Sequence, residues 1–367
     1  MRIAYFIGTL KKGDGVARVV TTLAREAQQR GVESVIVTGF VESQSISPVP
    51  TILIPSVKFP LYKEYKLPLP GMGGFEKKLK EFNPDVIHIH SPDTIAFAAA
   101  KYAKKYNVPI FATHHTDFSR YLSYYHINFL NPVLWAILRR LYSKVRMVTV
   151  PSDWTNQDLN NHGIRNVTTV PWGVDFKSFA PSFRSEQWRK SILKRGEQKI
   201  LVSVSRLTWE KDLKTLAEAY KLLQSAGKKF QMVIAGDGPA RKEFEEMMPG
   251  AVFLGYIDKE KLSEVFASSD ILLFPSSTET FGQVTLEAMA SGAVPVVADQ
   301  GGSATIVENG KNGLIAQTKN PQSFCEKTLN LLNDENLLNK MKKAGLKSAK
   351  RYSWPKVLDQ IFEIYRN

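Results

Sequence analysis

The feature that most constrains this chain is a pattern that runs twice. Short runs rich in Val and Ile alternate with segments whose apolar residues recur at helical spacing, and the alternation restarts after a turn-rich stretch. In the first series residues 2–7 read as a buried strand. Residues 16–30 read as a helix, with Val16, Val19, Val20, Leu23, Ala24 and Ala27 at helical spacing. Residues 34–38, 51–54, 86–89, 110–113 and 147–150 read as further strands. Such continuous apolar strands suit a sheet covered on both faces. In the second series 199–203, 231–235, 252–254, 271–274 and 294–297 read as strands and 213–226 as a helix. The two series meet near 171–197, where Pro171, Gly173 and Pro181 break regular structure. The expectation is an α/β chain of two Rossmann-like, doubly wound domains facing across a cleft, with the cleft as the default ligand site.

The single cysteine, Cys325, excludes an internal disulfide and points to a reducing compartment. Residues 1–8 read as a core strand, not as a secretion leader, and no run approaches the ~20 apolar residues of a spanning helix. The expected location is cytoplasmic, with any membrane contact peripheral, on the inner face of the cell membrane. Charge is lopsided: residues 1–190 carry 25 Lys/Arg against 14 Asp/Glu, and residues 191–367 carry 24 against 21. An anionic partner for the first half is one reading; a basic soluble surface is the other.

Gly13-Asp14-Gly15-Val16-Ala17-Arg18 follows the first strand. It lacks the third small residue of a dinucleotide fingerprint and the lysine of a P-loop, yet a loop entering a helix still offers N–H groups to an anion. Ser205-Arg206-Leu207-Thr208-Trp209-Glu210-Lys211 follows the first strand of the second series. Its two cations flank a short turn and suit a diphosphate or, equally simply, the neighbouring acids. Ala235-Gly236-Asp237-Gly238-Pro239 is a tight turn, either structural or open to a ligand. The most specific stretch is Pro275-Ser276-Ser277-Thr278-Glu279-Thr280-Phe281-Gly282-Gln283-Val284-Thr285-Leu286-Glu287. A strand ends at Phe274 and a helix starts near Gly282. The helix start is a natural anion site, and two carboxylates flanking it suit sugar hydroxyls.

That stretch resembles the Glu-x7-Glu motif of retaining glycosyltransferases of sequence family 4, which have the GT-B fold. The resemblance extends over nearly the whole chain. Ser205 to Lys211 is similar to the family's diphosphate-clamping turn, and Gly236 to Pro239 to its Gly-Asp-Gly-Pro turn. Pro171-Trp172-Gly173-Val174-Asp175 is similar to its interdomain signature, and Gly301-Gly302 to its Gly-Gly turn. Thr113-His114-His115-Thr116-Asp117 resembles the strand end that carries its active-site histidine. Ser353-Trp354 opens a last helix like the family's, which crosses back to the first domain.

The resemblance implies an acceptor-side domain over 1–172, joined by the helix at 353–367, a linker over 173–197 and a donor domain over 198–352. It implies that Arg206 and Lys211 bind the donor diphosphate, that Glu279 contacts the transferred sugar or its phosphate, and that Glu287 holds the ribose. Backbone amides of Phe281, Gly282 and Gln283 would line the sugar, with Val284 and Thr285 near the phosphate. Gly15 would approach the diphosphate, although Asp14 replaces a glycine common there. His115 would hydrogen-bond the donor sugar, while His114 reads as a core or rim residue. The implied reaction is hexosyl transfer, of glucose or mannose, from a UDP- or GDP-sugar to an acceptor hydroxyl. It would proceed with retention and same-face attack assisted by the leaving phosphate.

No cofactor is expected beyond the nucleotide sugar. His88 and His90 share a strand face, but no Cys or Glu completes a metal set and there is no Asp-x-Asp, so no metal is expected. Residues 118–146 mix aromatics with Arg120, Arg139, Arg140, Lys144 and Arg146. They suggest either a helix on an anionic membrane surface, serving a lipid acceptor such as diacylglycerol, or a core helix with a solvated basic face and a soluble sugar or small anionic acceptor. Two other functions stay open: a nucleotide-sugar epimerase of the same fold, and a nucleic-acid-binding protein. The latter lacks an aromatic–basic platform, so no nucleic-acid partner is expected.

Overall fold

The structure, a computed structural model, describes residues 1–367 except 60–61, 72–73, 118, 120–121, 123–126, 195–197 and 367. The chain divides into two compact units, Met1–Trp172 with Trp354–Asn367, and Gly173–Ser353.

The first unit holds β1 (Arg2–Leu10), β2 (Glu33–Val41), β3 (Thr51–Leu53), a hairpin of β4 (Ser56–Phe59) and β5 (Tyr62–Pro68), then β6 (Val86–Ile89), β7 (Ile110–Thr113), β8 (Met147–Val150) and β9 (Val167–Thr169). Seven of these form one sheet in the order β3-β2-β1-β6-β7-β8-β9, with every pairing parallel. Both faces are covered. One core packs Phe6, Val37, Ile87 and Val148 against helix residues Ile95, Ala99, Leu138 and Leu141. The other packs Ile3, Tyr5 and Phe111 against Val20 and Leu23 of the helix Gly15–Gln29 and Leu358, Ile361 and Phe362 of the helix Trp354–Arg366. The last helix therefore belongs to the first unit's core, and Arg30 adds an ion pair to Asp359 and a bond to the Pro355 carbonyl.

The second unit holds β10 (Lys199–Val204), β11 (Phe230–Ala235), β12 (Val252–Phe253), β13 (Ile271–Phe274), β14 (Val294–Ala298) and β15 (Leu314–Ala316), in the order β12-β11-β10-β13-β14-β15. Numbered within the unit this is 3-2-1-4-5-6, the doubly wound order that places ligands outside the carboxyl ends of the first and fourth strands. Asp270, just before β13, ties the unit together. Its carboxylate accepts from Arg189 Nη1 (3.0 Å), Lys342 Nζ (2.8 Å) and the Ile200 amide (3.0 Å). Burial pushes its pKa up, but these partners outweigh burial and hold it below the ordinary aspartate value.

The stretch read as a linker is mostly ordered structure of the second unit. It contains the helix Glu186–Ile192, capped by Ser185, whose Arg189 is buried against Asp270. Proline and glycine mark the change of domain but do not stop a short capped helix from packing there. The hairpin, β9 and β15 were not foreseen. They are short or polar, which leaves little apolar pattern to read, and β9 and β15 take their place at the sheet edges only by pairing with β8 and β14.

Candidate functional site

In the second unit the loops after β10 and β13 are adjacent because those strands are neighbours in the sheet. Each loop holds the other. Lys211 Nζ donates to Glu279 Oε1 at 2.7 Å and to Thr278 Oγ1 at 3.4 Å. The Asp212 carboxylate accepts from the Ser277 amide (3.1 Å) and hydroxyl (2.8 Å). Asp212 itself sits in the left-handed region at φ 55°. The Thr278 hydroxyl donates to the Glu210 carbonyl at 3.3 Å. Arg206 lies 3.6 Å from Glu210 Oε1, with its side chain about half exposed (47%). Lys211 and Glu279 are more enclosed, at 15% and 22%. Sequence reasoning passed over Asp212, noting it only as an acidic neighbour. The structure makes it the brace between the two loops, and no local signal distinguishes such a role.

The helix Gln283–Ser291 begins directly after this loop. Its cap is Gly282 at φ 93°, which contributes no side-chain hydrogen bond. The first-turn amides of Gln283, Val284 and Thr285 therefore face outward from the helix end, where the dipole favours an anion. Gly282 is required here: a Cβ would fall 2.4 Å from Ser303 Oγ. Thr285 is fully buried and its hydroxyl pairs with Ser303 Oγ at 3.1 Å, so only its amide is turned to the helix end. Glu287 is buried one turn further on and accepts from Gln283 Nε2 at 3.1 Å; the same amide donates to the Gly173 carbonyl at 3.1 Å. Phe281 is buried.

The Gly236 to Pro239 turn is structural. A Cβ on Gly236 would lie 1.8 Å from the Ser205 carbonyl oxygen, and one on Gly238 2.4 Å from that of Leu207. The two glycines let this turn cross under the Arg206 loop, where Leu207 N donates to the Asp237 carbonyl at 2.9 Å and Ala240 N to that of Leu207 at 3.0 Å.

In the first unit the corresponding edge carries the Gly13 loop after β1, His90 after β6, and His114 and His115 after β7. Asp14 caps the helix Gly15–Gln29, its Oδ1 accepting from Ala17 N at 2.8 Å. The residue that departs from the family's pattern thus earns a local role as a cap. A Cβ on Gly15 would meet nothing within 4 Å, so the unit's own packing does not demand glycine.

His115 is buried, its Nε2 2.8 Å from His90 Nδ1 and its ring 5.3 Å from that of Trp172. Burial, then the neighbouring His88 and His114, push its pKa well below the ordinary value, so it is a neutral imidazole at neutral pH. His114 turns to the core and pairs with the Tyr142 hydroxyl at 2.9 Å. His88 uses both ring nitrogens within the unit, on Tyr365 OH (2.6 Å) and Thr113 Oγ1 (2.8 Å), which leaves no lone pair for a metal. Among the described residues no group of three or more His, Cys, Asp or Glu is placed to hold a metal.

Of the basic stretch, Arg120 lies outside the described residues. The helix Asn131–Tyr142 buries Trp135, Leu138, Leu141 and Tyr142 and leaves Val133 and Ile137 exposed, with Phe129 exposed just before it. Arg139, Arg140 and Lys144 are exposed as well. Arg139 also reaches the His162 carbonyl at 3.2 Å.

Comparison with known proteins decides the family. Residues 184–348 match glycosyl transferases group 1, and residues 13–178 match glycosyltransferase family 4. A GDP-mannose-dependent α-mannosyltransferase of Corynebacterium glutamicum is 31% identical over 86% of this chain and 75% of its own length. The chain is a family 4 glycosyltransferase. Members of this family transfer a sugar from a nucleotide sugar, and that is this enzyme's reaction class. An α-monoglucosyldiacylglycerol synthase of Streptococcus pneumoniae is 25% identical over 81% of this chain and 71% of its own length. The crystal structure of Anabaena HepE with UDP superposes with a TM-score of 0.79 over 99% of both chains at 17% identity, which establishes the GT-B fold. No helix of the described residues is long and apolar enough to cross a membrane.

Proposed function

We propose that this glycosyltransferase moves a hexose, glucose or mannose, from a UDP- or GDP-sugar to a hydroxyl of a lipid built on diacylglycerol, with retention at the anomeric carbon. One observation carries the donor reading: Arg206, Lys211, Glu279 and the amides of Gln283, Val284 and Thr285 converge at the carboxyl edge of β10 and β13. Cations and helix amides neutralise charge growing on the leaving diphosphate, and are already in place when it forms. Glu279 is positioned through Lys211 and Ser276 to accept from sugar hydroxyls, and buried Glu287 suits the paired hydroxyls of a ribose. In this reading neutral His115 would donate to a hydroxyl of the donor sugar and Gly15 would approach the diphosphate, as the family resemblance implies. The reaction needs no metal in this reading, because fixed cations supply the positive charge.

The acceptor reading is supported by the exposed face of the helix Asn131–Tyr142. Val133, Ile137 and Arg140 lie four and three residues apart on one side, with Phe129 and Lys144 continuing the stripe beyond each end. Apolar side chains interleaved with cations suit insertion at an anionic surface, each cation contributing on the order of 1 kcal/mol. The enzyme would then sit peripherally on the cytoplasmic face of the membrane. The names of the two curated relatives agree with this choice of donor and lipid.

The test is turnover of a panel of UDP- and GDP-sugars with and without anionic vesicles containing diacylglycerol, with product anomers read by NMR. Transfer to lipid with retained configuration is expected. Donor consumed without acceptor would instead indicate an epimerase. Failure to sediment with anionic vesicles at low salt, with lipid transfer unchanged by charge reversal at Arg140 and Lys144, would overturn the membrane reading.

A further inference from the structure

The hairpin of the first unit has no part in the donor chemistry, yet it builds a pocket. Its face carrying Ser56, Lys58, Lys66 and Pro68 packs on the carboxyl end of β2. Gly39 makes this possible, since a Cβ there would lie 2.7 Å from the Pro68 ring. Between hairpin and sheet edge lies an open cavity of about 420 Å³, walled by Phe40, Leu53, Ile54 and Pro55. It opens on the carboxyl edge of the sheet, as do the Gly13 loop, His90 and His115. Leu53 at its wall is about half exposed, at 52%, an apolar surface that water covers poorly.

Among the described residues the pocket's lining carries one charged side chain, a lysine. Lys66 lines it, its ammonium 3.7 Å from the centre of the Phe40 ring. Its directly opposite partner on β4 is Lys58. Two lysines at one cross-strand position repel and weaken the hairpin, so nothing in local folding favours the pair. An anion between them removes the repulsion.

We infer that this pocket is a binding site for a phosphate-bearing lipid, with the phosphate between Lys58 and Lys66 and the start of the alkyl chain against Phe40, Leu53 and Ile54. The inference rests on the lipid-acceptor reading above and narrows it, from any lipid built on diacylglycerol to one that carries a phosphate next to its apolar chain.

Titration calorimetry of the full chain with dodecyl phosphate, below its micelle concentration, tests this against dodecyl maltoside and inorganic phosphate. Dodecyl phosphate should bind at least tenfold more tightly than either. Lys58→Glu and Lys66→Gln should each weaken it by tenfold or more and leave UDP binding unchanged. Lys58→Glu also replaces a like-charged pair by an opposite one, so its melting temperature should hold or rise while binding falls, which a merely structural lysine would not show. Unchanged affinity in both variants overturns the site. Dodecyl maltoside or inorganic phosphate binding as tightly overturns it too, leaving a plain apolar or plain anion pocket. If lysine-dependent binding holds while no lipid serves as acceptor, the pocket stands and the lipid-acceptor reading falls.

Discussion

Lys211 and Glu279 show how one residue pair can serve both fold and chemistry. Their 2.7 Å ion pair joins the loops after β10 and β13, and in the proposed donor reading the same lysine would meet the diphosphate. Charge-assisted hydrogen bonds are worth roughly 1.5–3 kcal/mol, so Arg206→Ala and Lys211→Ala should each weaken UDP or GDP binding about tenfold or more. Calorimetry finding wild-type affinity in both would reject the diphosphate assignment. Glu279→Gln and Glu287→Gln keep shape and remove charge. Both should lower turnover strongly while circular dichroism stays native, and full activity in the pair would sink their role. Asp270 is the contrasting case, a buried charge just before β13 whose contacts are structural ones, to Arg189, Lys342 and the Ile200 amide. Asp270→Asn leaves Arg189 and Lys342 uncompensated, and a loss of about 3–5 kcal/mol of stability is expected from denaturant titration.

At the scale of elements, glycines decide which loops can touch. Gly302 donates its amide to the Glu279 carbonyl at 2.6 Å, and a Cβ on it would lie 2.3 Å from Phe281 N. The Gly-Gly turn is thus a backing plate for the Glu279 loop. Gly302→Ala should lower both the melting temperature and donor affinity, since the loop must shift to make room. A variant with wild-type values on both counts would show that the loop is held elsewhere. Gly15→Ala should leave the melting temperature unchanged, because its Cβ meets nothing in the unit; any effect should appear in donor kinetics. The terminal helix Trp354–Arg366 completes a core rather than decorating one, through Trp354, Leu358, Ile361 and Phe362.

At the scale of the whole molecule, the buried histidines set an acid limit. His88 is pushed down to about 3 and His114 to about 4 by burial. His90 and His115 are pushed well below the ordinary value, again chiefly by burial. The unfolded chain takes up these protons first as pH falls. Their contribution to stability is therefore complete above about pH 6.5 and is lost below it, on the order of 1 kcal/mol per pH unit for each histidine. Urea midpoints should fall steeply between pH 6.5 and 5, and a flat profile there would show that the histidines protonate without unfolding.

The sequence by itself determined the architecture, and it singled out the stretch on which the donor reading rests. Apolar periodicity is a local property, and a parallel sheet advertises itself through unbroken Val and Ile runs. Residues 275–287 were legible for the same reason: loop, helix start and both carboxylates lie in one continuous stretch. Tertiary structure alone decided what depends on neighbours distant in the chain. It showed that Asp212 braces the loop 65 residues away, that Gly236 and Gly238 serve packing, and that His114 faces the core while His115 lies beside His90. It also revealed the hairpin, its opposed lysines and the pocket beneath them. The register that sets Lys58 opposite Lys66 depends on the hairpin's turn and its irregularity at Lys58/Phe59, and the contact with Phe40 depends on a strand distant in the chain, so neither was legible from residue spacing.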